Sequence, residues 1–246
     1  KYIRLKRIKV NGARAQRDCR LREGDQLQLY INDEFFETPS EENVYLTIVN
    51  PRLHIIYEDE NIILLDKPAG MVVHADEGEK VNTLVNHLLA YLYQKREWNP
   101  RWENAFAPAL CNRIDRNTGG IVIAAKDAET LRLINEKIRL RELDKRYLCV
   151  TVGRPKRDSG RAECFLLKDE QKKQVTVYHK PVPGGKTAIT DYRVLETRGE
   201  LSLVEIGLET GRTHQIRATM ADLGCPLLGD GKYGRGDVNR RYGETR

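Results

Sequence analysis

Three short segments carry polar side chains where the surrounding pattern is apolar or neutral, and each could do chemistry. The first is Arg113-Ile114-Asp115-Arg116-Asn117-Thr118-Gly119-Gly120, directly before the apolar run 121–125. An acid between two arginines and beside two glycines suits a carboxylate held ionised by guanidinium groups at a loop–strand junction, where a substrate can approach the backbone closely. A structural salt-bridge knot would use the same residues. The second segment, Lys145-Arg146-Tyr147, stands at the entry to a strand; its plain reading is a surface basic pair with one aromatic anchor. The third, Gly211-Arg212-Thr213-His214-Gln215-Ile216-Arg217, puts five polar residues at a strand-to-helix junction, with Thr213 placed to cap the helix. A capped amphipathic helix explains Thr213 and Ile216, but not Arg212, His214, Gln215 and Arg217 together.

Other motifs carry little weight. Gly229-Asp230-Gly231-Lys232-Tyr233-Gly234 spells a dinucleotide fingerprint, but no clear strand precedes it and no helix is expected to open after it. Gly185-Lys186-Thr187 ends like a phosphate loop, yet Lys180 stands where the first glycine belongs. Arg235-Gly236-Asp237 is a chance tripeptide. The five histidines show no His-Glu-x-x-His spacing, and Cys19, Cys111, Cys149, Cys164 and Cys225 are dispersed without Cys-x-x-Cys. That pattern argues against a disulfide framework and a structural zinc, and favours reduced cysteines in a cytoplasmic protein. No metal site is expected.

The 246 residues are 40% hydrophobic and 32% charged, enough for a large domain plus a small one and too apolar for general disorder. The longest apolar run, near residues 88–93, is too short to span a bilayer, so no membrane role is expected. The net charge of +6 is unevenly spread. Residues 1–22 hold nine Lys/Arg and one acid, +8 in all, leaving −2 for the remainder. A basic face in so short a segment suits a polyanion such as RNA, with Lys6, Arg7, Lys9 and Arg14 as contacts; a solvated charged face is the bland alternative. Lys1 is not a methionine and the chain ends in a charged stretch, so a piece of a longer protein is expected at both ends.

The elements that must position these residues follow from periodicity. Ile8 and Val10 alternate with charges before the Asn11-Gly12 turn, and Gly24-Asp25 marks a second turn before a strand over 26–31. The polar stretch 33–43 reads as a linker. Strands are expected at 55–57 and 61–66, with Lys67-Pro68-Ala69-Gly70 ending the second. The stripe Val81, Leu84, Val85, Leu88, Leu89, Leu92 predicts a helix over 81–93. A polar loop with Trp98 and Trp102 follows, then a buried strand at 121–125 and a helix over 128–143 capped by Asp127, with Leu131, Ile134 and Ile138 inward. Further strands are expected at 147–152, 162–167, 174–178, 187–195 and 201–208, then a helix starting near Thr213 and stopped by Gly224. This order predicts an α+β fold: a largely antiparallel mixed sheet flanked by helices over 49–246, preceded by a small basic RNA-binding module over 1–48.

In this order, the three polar segments resemble those of the RluA-type family of pseudouridine synthases. Lys67-Pro68-Ala69-Gly70-Met71-Val72-Val73-His74 and the 229–234 segment resemble that family too, so the likeness runs from about Asp59 to Gly234. The first module resembles the alpha-L RNA-binding module of a small-subunit ribosomal protein, without its opening helix. The resemblance implies Asp115 as the catalytic aspartate and Tyr147 as the aromatic that stacks on the target uracil. It implies Arg217 as the basic partner of that aspartate and Arg113 as the arginine filling the gap left by the extruded base; Ile216 and His214 join the substrate-binding set. Asn112, Asn117 and Gly119 depart from the family's usual His, Asp and Ser, which leaves the carboxylate in place and puts substrate contacts in question.

The implied reaction breaks N1–C1′ of uridine, turns the uracil and joins C5 to C1′. No electrons are exchanged and no group is imported, so no cofactor is required. The base must first be flipped out, at a cost of a few kcal/mol, which stacking on Tyr147 offsets by about 1–3 kcal/mol. Whether Asp115 attacks C1′ or removes a sugar proton stays open. The competing readings are a non-catalytic RNA-binding protein on the same fold, and a base glycosidase, which would want a second carboxylate that the Asp115 segment lacks. The expected partner is RNA, with large-subunit ribosomal RNA ahead of transfer RNA; no obligate protein partner is evident.

Overall fold

The computed structural model describes residues 3, 6–30, 43–100 and 106–243, and the chain divides into two compact units, Lys1–Arg132 and Leu133–Arg246. Lys1, Arg4, Ile31, Trp102 and nearly all of the expected linker lie outside the described residues.

In the first unit, β1 (Ile8–Val10), β2 (Ala13–Arg14) and β3 (Leu27–Leu29) form an antiparallel sheet in the order β2-β1-β3. Asn11 and Gly12 take positive φ of 51° and 80°, as a two-residue hairpin turn requires. The Asn11 side chain donates to Asp25 Oδ1 (2.7 Å) and accepts from Gln26 N–H (2.8 Å), tying the first turn to the second. Of the strand expected over 26–31, Leu27–Leu29 form β3, Gln26 and Tyr30 flank it and Ile31 lies outside the described residues; Leu27 and Leu29 are exposed.

A second antiparallel sheet, in the order β4-β5-β7-β6, joins β4 (Ile55–Glu58), β5 (Ile62–Lys67), β6 (Ala109–Leu110) and β7 (Gly120–Ala125). Alternation along β5 buries Ile63, Leu65 and Lys67 on one face. Ile63 and Leu65 pack with Val122 and Ala124 against Leu84, Leu88 and Leu92 of α1 (Leu84–Gln94). Full burial of a side chain such as Leu88 stabilises by about 1.5–3 kcal/mol. Helix α1 starts later than the stripe predicts. Thr83 is its N-cap, accepting from Asn86 N–H, while Val81 is 39% exposed because Glu79 captures the Val81 and Asn82 N–H groups in a preceding turn.

Helix α2 (Ala128–Arg139) is capped by Asp127, which accepts from Thr130 N–H. It stops short of residue 143. Arg141 takes φ 61°, and the bonds Arg141 N–H to Ile138 O and Glu142 N–H to Lys137 O close a left-handed C-terminal cap without glycine. Leu131, Ile134 and Ile138 are only half-buried.

The second unit is built on an antiparallel sheet in the order β10-β9-β11-β12-β8: β8 (Arg146–Val152), β9 (Ser159–Asp169), β10 (Gln174–Tyr178), β11 (Lys186–Arg198) and β12 (Leu201–Leu208). Strands β9 and β11 run longer than periodicity predicts because their full ladder pairs Lys186 with Leu166 through Arg193 with Ser159. Helix α3 (Gln215–Asp222) packs Ala218 with Cys164, Leu166, Val175 and Ala188, and Met220 with Val204, Ile206 and Cys225. Gly224, at φ 80°, ends it as expected. A short helix α4 (Gly236–Arg241) opens just after the 229–234 segment, correcting the expectation that none would. The cysteines are free, and burial pushes the Cys149 thiol up to about 12 and that of Cys225 up to about 11. The fold is α+β, as the periodicities predict.

Candidate active site

Asp115 sits in the loop before β7, and the structure shows what holds that loop. Lys67, at the end of β5, is fully buried. Its ammonium donates to Pro68 O (2.9 Å), Met71 O (2.7 Å) and Arg116 O (3.0 Å). Gly70 N–H also donates to Arg116 O (2.8 Å), and a Cβ added at Gly119 would stand 3.5 Å from Lys67 O. One buried cation therefore clasps the 67–71 turn to the backbone next to Asp115. Burial lowers the Lys67 pKa from 10.5 to about 8, against the opposing attraction of the Asp115 charge. Thr118 N–H bonds Asp115 O (3.1 Å), closing the turn. On the other side, Arg116 reaches Asp76 (2.8 and 3.1 Å), whose carboxylate also accepts from Gly78 and Glu79 N–H. Arg113 is exposed; loss of surrounding water, then the Arg113 charge, lower the pKa of His74. Asn112, one of the departures from the family pattern, has a structural role: Ile123 N–H donates to its Oδ1 (2.8 Å), extending the β6–β7 ladder.

The remaining candidates lie in the second unit. Tyr147 opens β8 opposite Ile206 and is half-buried against the Val204, Ile206, Met220, Cys225 cluster, to which Ile216 also packs. The 211–217 segment is organised by Gln215 rather than Thr213. Gln215 Oε1 accepts from Arg212 N–H (3.0 Å) and Thr210 Oγ1 (2.9 Å), and its Nε2 donates to Ile189 O and Thr190 Oγ1. The N-cap is His214, at φ 52°, with no side-chain cap bond, which corrects the expected Thr213 cap. Arg217 makes a two-pronged ion pair with Asp230 through Nε (2.7 Å) and one terminal nitrogen (3.0 Å). Burial alone would raise the Asp230 pKa; Arg217 and the Lys232 and Tyr233 N–H groups overrule it and hold the carboxyl below its usual range.

The structure thus brings Asp115 to the Lys67 clasp and Arg113 near His74, Tyr147 and Ile216 onto one apolar cluster, and His214 and Arg217 beside the 229–234 loop. Lys6, Arg7 and Arg14 are exposed on the small sheet, and the Lys9 ammonium lies 5.1 Å from the Tyr30 ring centroid. Sequence reasoning missed Lys67, Asp230, Gln215 and Tyr233 as organising residues. A lysine at the end of an alternating strand, in phase with two buried apolar residues, was the available signal for Lys67. Among the described residues, no cluster of His, Cys, Asp and Glu could hold a metal ion, and no helix is long and apolar enough to cross a membrane.

The same chain resembles known proteins over this region. A family model described as RNA pseudouridylate synthase matches residues 61–222. A Bacillus subtilis (strain 168) protein, described as an uncharacterized RNA pseudouridine synthase, YlyB, is 32% identical over 234 residues, covering 95% of this chain and 72% of that protein. Ribosomal large subunit pseudouridine synthase D of Borreliella burgdorferi is 34% identical over 213 residues, covering 85% and 64%. The solved structure of human RNA pseudouridylate synthase domain containing 1 superposes with a TM-score of 0.61 at 20% identity, covering 78% of this chain and 73% of that one, and shares the fold. The chain belongs to the RNA pseudouridylate synthase family and is an RNA pseudouridine synthase.

Proposed function

We propose that this enzyme isomerises specific uridines of large-subunit ribosomal RNA, with Asp115 as the catalytic carboxylate. The observation that carries the site assignment is the Lys67 clasp: a buried ammonium spent on three backbone carbonyls is a costly way to fix a loop, and the loop it fixes presents Asp115. The name of the Borreliella relative supports the choice of RNA. Transfer RNA is the competing substrate.

In this reading the target uridine leaves its stack and its uracil lies on the Tyr147 ring, while Arg113 fills the vacancy. Arg217 takes the role of the basic residue that the family resemblance assigns beside the aspartate; Asp230 takes two of its five guanidinium N–H donors and sets the plane in which the others point. The ionised Asp115 either attacks C1′ or removes a sugar proton as N1–C1′ breaks. The uracil then turns and C5 bonds to C1′ as the Asp115–C1′ ester bond breaks or the abstracted sugar proton returns; the C5 proton leaves to solvent and N1 takes one up. Ile216 and His214 border the base. Residues 1–48 act as a separate basic module that grips the RNA backbone through Lys6, Arg7, Lys9 and Arg14, and 49–246 as the catalytic domain.

The test is a pseudouridine map of ribosomal and transfer RNA from a strain lacking the gene, complemented with wild type or Asp115→Ala. Sites lost in the deletion and restored by wild type alone identify the substrate and support Asp115. Restoration by Asp115→Ala removes it from the chemistry, and loss confined to transfer RNA overturns the substrate.

A further inference from the structure

The 229–234 loop docks on the edge of β10 with Tyr233 at the centre of the contact. Its hydroxyl accepts from Val175 N–H (2.7 Å), an edge-strand donor, and stands 3.0 Å from His214 Nδ1. The His214 and Tyr233 rings meet edge-on, with centroids 5.7 Å apart. Arg217 also meets the Tyr233 ring: its guanidinium carbon lies 5.2 Å from the ring centroid while its nitrogens grip Asp230. The loop is rigid by construction. Asp230 Oδ1 accepts from Lys232 and Tyr233 N–H, Asn239 bridges Gly229 N–H and Asp230 O, and a Cβ on Gly234 would stand 2.2 Å from Asp230 O.

Val175 N–H occupies one lone pair of the phenol oxygen, and in one of the two neutral imidazole tautomers the hydroxyl donates to His214 Nδ1. An imidazole that accepts at Nδ1 carries its proton on Nε2. His214 is also held at φ 52°, a conformation that costs a non-glycine residue about 1 kcal/mol or more and persists only where the surroundings impose it. Tyr233 supplies that imposition from the side-chain end.

We propose that Tyr233 is a positioning residue for pseudouridine formation: through its hydroxyl it presents His214 as a neutral Nε2–H donor, and through its ring it supports the Arg217 guanidinium. The group His214 addresses is an acceptor oxygen of the RNA next to the flipped uridine. This inference rests on the reading that places His214 and Arg217 at the reacting nucleotide.

The experiment compares wild type, Tyr233→Phe, His214→Gln and the double variant. Phenylalanine keeps the ring under Arg217 and removes the hydroxyl. Long-range ¹H–¹⁵N spectra of the wild-type histidines, assigned through His214→Gln, should show His214 with a bare Nδ1 and a protonated Nε2, and Tyr233→Phe should lose that fixed pattern. Single-turnover release of C5 tritium from labelled ribosomal RNA should fall roughly threefold to tenfold in Tyr233→Phe, the loss expected of one hydrogen bond. In the His214→Gln background the same change should cost almost nothing further, because both act through one donor. A wild-type spectrum with the proton on Nδ1, or losses that multiply in the double variant, overturns the proposal. Full activity of Asp115→Ala in the same assay would instead remove the reading on which it rests, whatever the spectra show.

Discussion

Replacing Lys67 with methionine keeps an unbranched apolar stem up to the ε position and removes the ammonium beyond it. Pro68 O and Met71 O then lose a charged donor, at about 1–3 kcal/mol each, while Arg116 O retains Gly70 N–H. Against this, the variant no longer buries a charge. The drop of the Lys67 pKa from 10.5 to about 8 corresponds to at most about 3 kcal/mol, since the three carbonyls themselves favour the charged form. The sign follows from proton counting. Between pH 8 and 10.5 the unfolded lysine holds its proton and the folded one has released it, so the wild type gains stability as pH rises through that window. Below pH 8 the full burial cost is present, and the variant should lie between about 1 kcal/mol more stable and about 3 kcal/mol less stable than the wild type. At pH 10.5 the gap should widen by up to about 3 kcal/mol. Denaturant unfolding of both proteins from pH 7 to 10.5 reads this directly, because groups common to both cancel in the difference. Turnover should fall at least about tenfold across the range, since the Asp115 loop loses its clasp. A stability gap that stays flat with pH, or a fully active variant, would refute the reasoning.

Four further outcomes are expected. Asp115→Asn should abolish pseudouridine formation while a filter-binding assay still shows RNA bound; substantial turnover would sink the assignment. Tyr147→Phe should keep RNA affinity close to wild type, whereas Tyr147→Ala should weaken it by about 1–3 kcal/mol in a titration, the value of one base stacked on an aromatic ring. Gly234→Ala should lower the unfolding free energy by several kcal/mol, roughly 2–4, because its Cβ meets Asp230 O at 2.2 Å; a neutral effect in calorimetry would contradict the geometry. Neutralising Arg7, Lys9 and Arg14 to glutamine should flatten the slope of log affinity against log salt by about two to three, uniformly across RNA sequences, if each contacts a phosphate.

Local chemistry was legible in the sequence wherever a few neighbouring residues decide the outcome. Asn11-Gly12 makes its turn because both residues tolerate positive φ, Asp127 caps α2 with its own carboxylate, and Gly224 ends α3 at φ 80°. Strands β10 and β12 match their alternation, and the loop carrying Asp115 stands before β7 where the glycines and the apolar run place it. What stayed hidden depends on groups brought together from distant parts of the chain. Lys67 reads as a polar strand end until Arg116 O, 49 residues away, joins Pro68 O and Met71 O to satisfy a buried ammonium. Asp230 reads as a turn residue until the 229–234 loop meets α3 and Arg217 takes its carboxylate. Arg141 ends α2 in a conformation usually left to glycine, so nothing in the residue type marks the stop. Hydrophobic period and turn chemistry are properties of adjacent residues, and sequence carries them. Whether a charge is buried, and by what it is paired, is a property of the packed chain, and only the tertiary structure decides it.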